Sequence, residues 1–110
     1  MHLTQKLSFH ESSLVSWHYF GGALTLKFEG VHVEEAIRNA VLRLEAVSSI
    51  LRDRVPVESF ASEFEDGEVL TLEYTRTSLY VIIEWTDFKN HKSETHSYRI
   101  ACESLSVEIC

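Results

Sequence analysis

Six histidines are the residues of this chain best suited to metal or acid–base chemistry. A zinc ion needs three or four ligands that converge on one point at about 2 Å. His91 and His96 have a spacing that fits neither one face of a helix nor one face of a strand, and no CxxC or HExxH pattern is present. The sequence therefore predicts surface or loop histidines and no metal site. The six are His2, His10, His18, His32, His91 and His96.

Nucleophilic catalysis has one candidate segment, in which His10, Glu11 and Ser12 are consecutive. Adjacency in sequence does not bring three side chains together as a triad, so a turn is expected, with Glu11 and Ser12 satisfying backbone donors. Cys102 lies in an apolar strand pattern and is expected in the core. The four glycines form no nucleotide-binding fingerprint. The sequence thus predicts a protein that is not an enzyme and has no catalytic residues and no cofactor.

The charge balance restricts the partners. Ten Lys and Arg stand against 17 Asp and Glu, giving a net charge of −7 with His neutral. Nucleic acids and anionic membranes attract basic faces, so direct binding to either is not expected. A basic protein partner suits this charge better. With no signal peptide and no apolar run of about 20 residues, one domain spanning residues 1–110 in the cytoplasm is expected.

The segment Val55 to Thr75 is strongly acidic and contains no Lys or Arg. It is either a solvated loop or a surface complementary to a basic partner. In the second case Phe60 and Phe64, four residues apart, would act as apolar anchors on one side of a short helix, with charges around them that guide encounter. The partner-binding residues predicted on that interpretation are Glu58, Phe60, Glu63, Phe64, Glu65, Asp66 and Glu68.

Alternation of apolar and polar residues predicts strands in both halves of the chain. Leu14 to Phe20 is expected to place Val15, Trp17 and Tyr19 on one face and Leu14 on the other. Gly21-Gly22 then predicts a tight hairpin turn into the strand Ala23 to Glu29. Four further strands, joined by polar turns, predict an antiparallel meander. They contain Leu70 to Tyr74, the apolar run Leu79 to Trp85 (expected to be covered on both faces), His96 to Ile100, and Leu105 to Ile109.

The middle of the chain has two interpretations. Seven apolar residues between Val33 and Leu51 recur at helical spacing among good helix formers, which favours a helix there and an α+β fold with the helix on the sheet. Residues 41–47 also alternate as a strand would, which favours a mainly-β fold. Whether residues 37–47 form helix or strand stays open at this stage.

Several segments together resemble small bacterial proteins that include toxin-immunity families, the immunity protein 50 family among them. The segments are Phe9-His10-Glu11-Ser12, Ala23 to Glu29, Val41 to Val47 and the strands from Leu70 onward. In such proteins a Phe or Leu followed by His-Asp-Ser commonly opens the domain, and Glu11 stands here where Asp is usual. The resemblance implies a strand at Val41 to Val47 after a loop over residues 30–39.

These observations favour a non-catalytic immunity protein that binds a cognate bacterial toxin domain, such as a basic nuclease. The alternative is a structural or oligomerising domain without a toxin partner, in which the strand Leu105 to Ile109 pairs with itself across a two-fold axis to form a homodimer.

Overall fold

The computed structural model describes residues 7–60 and 66–110, which form a single antiparallel sheet of ten strands. The N-terminal strands are β1 (Leu7–Ser8), β2 (Ser13–Phe20), β3 (Ala23–Val33), β4 (Ala36–Glu45), β5 (Ser49–Arg52) and β6 (Val55–Pro56). The C-terminal strands are β7 (Asp66–Tyr74), β8 (Ser78–Asp87), β9 (Lys92–Ala101) and β10 (Ser104–Ile109).

The sheet folds over on itself. Its strand order is β10-β4-β3-β2-β7-β8-β9-β5-β6, with β1 added beside β3. The short links β4–β5 and β9–β10 join strands from opposite parts of this order, so those parts lie close together. Backbone hydrogen bonds at this corner, Ser48 N–H to Ala101 O at 2.8 Å and Glu103 N–H to Glu45 O at 3.0 Å, hold the two links side by side.

The core fills the space between the two halves of the folded sheet. Trp17 from β2 packs edge-on against Trp85 from β8, with ring centroids 5.2 Å apart, so the two halves meet through aromatic side chains. The indole N–H of Trp85 donates a buried hydrogen bond of 2.8 Å to the hydroxyl of Tyr98. Burial raises the pKa of that tyrosine, which keeps the hydroxyl protonated. The other large, fully buried side chains are Leu14, Leu24, Leu26, Phe28, Val31, Leu42, Leu44, Leu79, Ile83 and Ile100.

The helix predicted for residues 33–51 is wrong, and so is the α+β class that depends on it. The segment forms the end of β3, then β4 and β5, and the described residues contain no helix. Glu34 and Ala46 have positive φ angles of 58° and 53°, which a continuous right-handed helix does not permit. Pairing of β4 with β3 and β10 supplies the backbone hydrogen bonds that a helix would have made locally. The mainly-β alternative describes the fold.

A bulge between Leu14 and Ser16 changes the predicted faces of β2. The extra residue places Leu14 on the same inner face as Trp17 and leaves Val15 43% exposed. The prediction that grouped Val15 with Trp17 and Tyr19 is therefore wrong at this residue. The Gly21-Gly22 hairpin is confirmed, with φ angles of 62° and 80°.

The C-terminal strands follow the predicted alternation but only three of them form a meander. Strands β7, β8 and β9 pair in chain order, whereas β10 leaves β9 and pairs with β4. The strand β8 was expected to be covered on both faces, but only one face is fully buried. On the other face Tyr80, Ile82 and Glu84 are half-buried and alternate with the core residues. Within residues 7–60 and 66–110, no helix is long and apolar enough to cross a membrane.

Candidate functional site

The acidic segment that suggested a partner-binding surface is divided by the fold. Glu58 is exposed in the connection that follows β6, and Glu68 is exposed on β7. Phe60 is only 3% exposed and packs against Trp17 and Tyr98, so its ring is not available as an interface anchor. Glu63, Phe64 and Glu65, and with them the helix expected to pair Phe60 with Phe64, lie outside the described residues. Asp66 begins β7, and its side chain lies outside that description too.

Glu68 belongs to a row of side chains on the outer surface of the sheet. Cross-strand pairing places Glu29 of β3 opposite Ser13 of β2, Ser13 opposite Glu68, and Glu68 opposite Glu84 of β8. Each of these residues neighbours a core residue in its strand, so all four side chains point outward. The register therefore aligns three carboxylates across four adjacent strands.

These carboxylates have no cationic partner in the described part of the chain. The ion pair of Arg43 with Glu108 and the close histidine–carboxylate contacts, His10 with Glu11 and His96 with Asp53 and Glu94, all involve other acids. Like charges directly opposite each other in adjacent strands destabilise a sheet, by an amount within the range of about 0.2–1 kcal/mol for cross-strand pairs. The pairing of Glu68 with Glu84 thus gives the sheet no favourable charge interaction and leaves negative charge without a cation on this surface.

Apolar side chains lie beside the acidic row. On the outer face of β8, Tyr80 and Ile82 are half-buried. They lie on the same face as Glu84, nearer the start of the strand. The guanidinium of Arg99 from β9 lies 4.3 Å from the ring centroid of Tyr80, a cation–π contact that orients both groups. Glu73 of β7 stands opposite Tyr80. Tyrosine and arginine are enriched among the residues that dominate interface energies.

A shallow groove of about 560 Å³ crosses this surface next to Tyr80. Side chains from β5, β7, β8 and β9 line it, so four strands fix its shape. Its walls include Ser49, Leu51, Glu73, Tyr80 and Arg99. We define the outer binding face by seven residues shared among β7, β8, β9 and β5. They are Glu68, Glu84, Glu73, Tyr80, Ile82, Arg99 and Leu51.

The segment Phe9 to Ser12 contains the turn that its sequence predicts, but the Ser12 side chain donates to a carbonyl instead of accepting from a backbone donor. The hydroxyl of Ser12 is fully buried and donates to the carbonyl of Phe9 at 2.5 Å. The ring Nδ1 of His10 lies 2.6 Å from the carbonyl oxygen of Leu70, which requires that nitrogen to carry the proton and donate. Leu70 occupies the bulge of β7, between Val69 and Thr71. This turn therefore joins the start of β2 to β7, and the Ser12 side chain is buried beneath it.

His96 lies between two carboxylates that the sequence did not place near each other. Its Nδ1 is 2.5 Å from Oδ2 of Asp53, and its Nε2 is 3.3 Å from Oε2 of Glu94. Asp53 and Arg54 form the two-residue turn between β5 and β6, with φ angles of 52° and 71°. The other oxygen of Asp53 accepts the Ser97 N–H at 2.9 Å, so this aspartate fastens the turn to β9.

Replacement of Asp53 by Asn is expected to lower the free energy of unfolding near neutral pH by about 0.5–1 kcal/mol, because the side chain is half-exposed. Burial opposes ionisation, but the hydrogen bonds from Ser97 and His96 hold the pKa of Asp53 below 3.8. Its stabilisation is therefore full above 3.8 and is lost as the pH falls through the lower, folded-state pKa. Urea denaturation of both proteins across the acidic range measures this.

The exposed Glu103→Gln provides a control that removes a carboxylate without removing those hydrogen bonds. The difference between Asp53→Asn and the original protein should shrink at acidic pH. An Asp53→Asn protein as stable as the control at neutral pH would contradict the role given to this contact.

Within the described ranges no group of three or more His, Cys, Asp or Glu side chains is arranged to hold a metal ion. Both cysteines are free thiols, Cys102 buried and Cys110 exposed. Burial raises the pKa of the Cys102 thiol, which disfavours the reactive thiolate. The outer binding face itself carries negative charge, aromatic surface and one guanidinium oriented by the Tyr80 ring.

Comparison with known proteins adds no relative: no family model, no curated protein and no solved structure matches this chain.

Of the residues that make up the outer binding face, sequence reasoning named Glu68 and did not name the other six. Glu84 carried a usable signal, since a carboxylate within the apolar run Leu79 to Trp85 predicts one polar face. The contact between Tyr80 and Arg99 on the same face depends on the register of β8 and β9. That register is not visible in either segment alone.

Proposed function

We propose that this chain is a non-catalytic, cytoplasmic binding protein that neutralises a bacterial toxin domain by occluding it with the outer binding face. The partner is a basic protein domain, such as a nuclease, whose cationic surface meets Glu68 and Glu84. Tyr80, Ile82 and Leu51 supply the apolar contact area, and Arg99 adds a directional donor. This assignment replaces the anchors expected in the acidic segment with aromatic and aliphatic residues of β8 and β5.

One observation carries the proposal: Glu68 and Glu84 lie directly opposite each other and have no cation beside them in the described residues. A fold gains nothing from such a pair, because repulsion lowers its stability. A bound cationic surface removes that repulsion and adds attraction. Residues kept for binding at the expense of stability are a common feature of functional sites.

The test is a growth assay with the protein encoded next to this chain in its source genome. The C-terminal domain of that protein is expressed in a sensitive host, alone and together with this chain, and direct binding is measured with the purified pair. We expect rescue of growth, and binding that weakens as salt concentration rises. If the domain is toxic but this chain neither restores growth nor binds the domain, the proposed pairing of the two proteins is refuted.

The double substitution Glu68→Gln and Glu84→Gln tests the face itself. We expect it to weaken binding at least tenfold and to flatten the salt dependence, since each lost charge pair removes attraction and steering. The free protein should at the same time become slightly more stable, by about 0.2–1 kcal/mol, because the repulsion is gone. Calorimetric titration and thermal denaturation measure the two effects.

The matched control is Glu34→Gln with Glu35→Gln, which removes the same charge from the exposed turn between β3 and β4. It should leave both affinity and stability nearly unchanged. Equal losses of affinity in the two double variants would show that only net charge matters and would reject the outer binding face as the site.

A further inference from the structure

The two ends of the sheet differ in how their backbone edges are protected. Strand β6 ends the order on one side, has two residues and contains Pro56, which cannot donate to a neighbouring strand. Strand β10 ends the other side and has six residues, with neither Pro nor Lys. Short length, proline and lysine are the usual devices against edge-to-edge pairing. β10 has none of them.

The backbone groups on the open side of β10 can be assigned. The N–H of Cys110 donates to the carbonyl of Asn39 on β4 at 2.8 Å, so the even-numbered residues of β10 face β4. Leu105, Val107 and Ile109 therefore direct their N–H and C=O groups outward. Arg76 O already accepts the Leu105 N–H at 2.8 Å. Val107 and Ile109 have no backbone partner on that side among the described residues.

We infer that β10 pairs antiparallel with β10 of a second copy, with Val107 opposite Ile109 in both directions. The two-fold axis then passes between the two Glu108 residues. This register uses the outward groups of Val107 and Ile109 and forms four hydrogen bonds between the copies. A two-fold axis at Val107 would instead place Ile109 of one copy opposite Leu105 of the other. The outward N–H of Leu105 already donates to the Arg76 carbonyl, so a neighbouring strand could not pair there.

The side chains on both faces of β10 are compatible with pairing of this strand to β10 of a second copy. On the inner face, Val107 and Ile109 are partly buried against the core, and pairing would extend their apolar surface across the axis. On the outer face the two Glu108 carboxylates meet, but each has Arg43 of its own chain at 3.3 Å. Two carboxylates and two guanidiniums therefore form a neutral group at the axis. A self-pairing strand needs such internal compensation.

The first experiment compares the oligomeric state of the full chain and Val107→Pro by sedimentation equilibrium over a range of protein concentrations. Proline removes the outward N–H of residue 107 and leaves the β4 side of the ladder intact. We expect the original chain to dimerise and the variant to dissociate at least tenfold more readily, with circular dichroism checking that it folds. A monomer at every concentration would overturn the inference.

Disulfide formation tests the register without weakening the strand. In the proposed pairing, residue 106 lies opposite Cys110 of the second copy in a close, non-hydrogen-bonded pair, whose geometry suits a disulfide. Ser106→Cys should therefore form covalent dimers under mild oxidation, and adding Cys110→Ser should abolish them. Ser104→Cys is the matched control, because residue 104 would face Cys110 only if the axis lay at Val107. Cross-linking through position 104 instead of 106 would overturn the register.

Arg43→Ala separates the charge compensation from the backbone ladder. Removal of the guanidinium leaves two facing carboxylates, so dimer dissociation should increase several-fold. Glu108→Gln removes the repulsion and should restore association in the double variant. A dimer insensitive to both changes would show that the Glu108 residues do not meet. None of these variants alters the outer binding face, so failure here is distinguishable from failure of the proposed function.

Discussion

Replacement of Gly67 by Ala is expected to destabilise the fold by about 3 kcal/mol or more, or to prevent folding altogether. A Cβ at this position would lie 2.8 Å from Cγ2 of Ile83 and 2.8 Å from Cζ3 of Trp85. Both neighbours are fully buried, and neither a branched methyl nor an indole ring can move aside cheaply in a packed core. Gly67 stands directly opposite Trp85, so glycine leaves the space in which the indole lies across β7.

Chemical denaturation of Gly67→Ala measures this loss, and Glu68→Ala is its matched control. Residue 68 is the next position of β7, but its side chain points outward and is exposed. The control should change stability by less than about 0.5 kcal/mol, apart from a small gain from lost repulsion. A Gly67→Ala protein as stable as this control would show that the indole of Trp85 does not cross position 67.

Phe60→Ala is expected to lower the free energy of unfolding by about 3–5 kcal/mol, as truncation of a buried aromatic side chain does. The ring lies 4.8 Å from the Tyr98 ring centroid and 6.3 Å from that of Trp17. Its loss leaves a cavity beside both rings and removes two aromatic contacts. The tryptophan emission should shift toward longer wavelength as water approaches Trp17.

The exposed Phe88 in the turn between β8 and β9 provides the comparison for this loss. It is 69% exposed, so Phe88→Ala should cost less than about 0.5 kcal/mol. The contrast separates burial from aromatic character. If Phe60→Ala were as mild as Phe88→Ala, Phe60 would have to leave the core readily, and its role as an exposed anchor would return.

Local sequence patterns determined those parts of the fold in which one residue decides the backbone or one face is clearly apolar. Gly21-Gly22 predicted the hairpin because both residues need positive φ angles, which glycine tolerates. The alternation in Ala23 to Glu29 predicted a half-buried strand, because a strand directs successive side chains to opposite faces. Composition determined the acidic net charge, since charge adds up regardless of fold.

Tertiary structure alone decided helix or strand for residues 33–51. Their apolar spacing fits both periods, and only pairing with β3 and β10 determines which backbone hydrogen bonds form. The tertiary structure also decided the burial of Phe60. This side chain follows β6 in a connecting segment and is buried because the fold brings Trp17 and Tyr98 against it. The acidic row depends on the same kind of information. Glu29, Glu68 and Glu84 are distant in sequence and become neighbours only through the register of four strands.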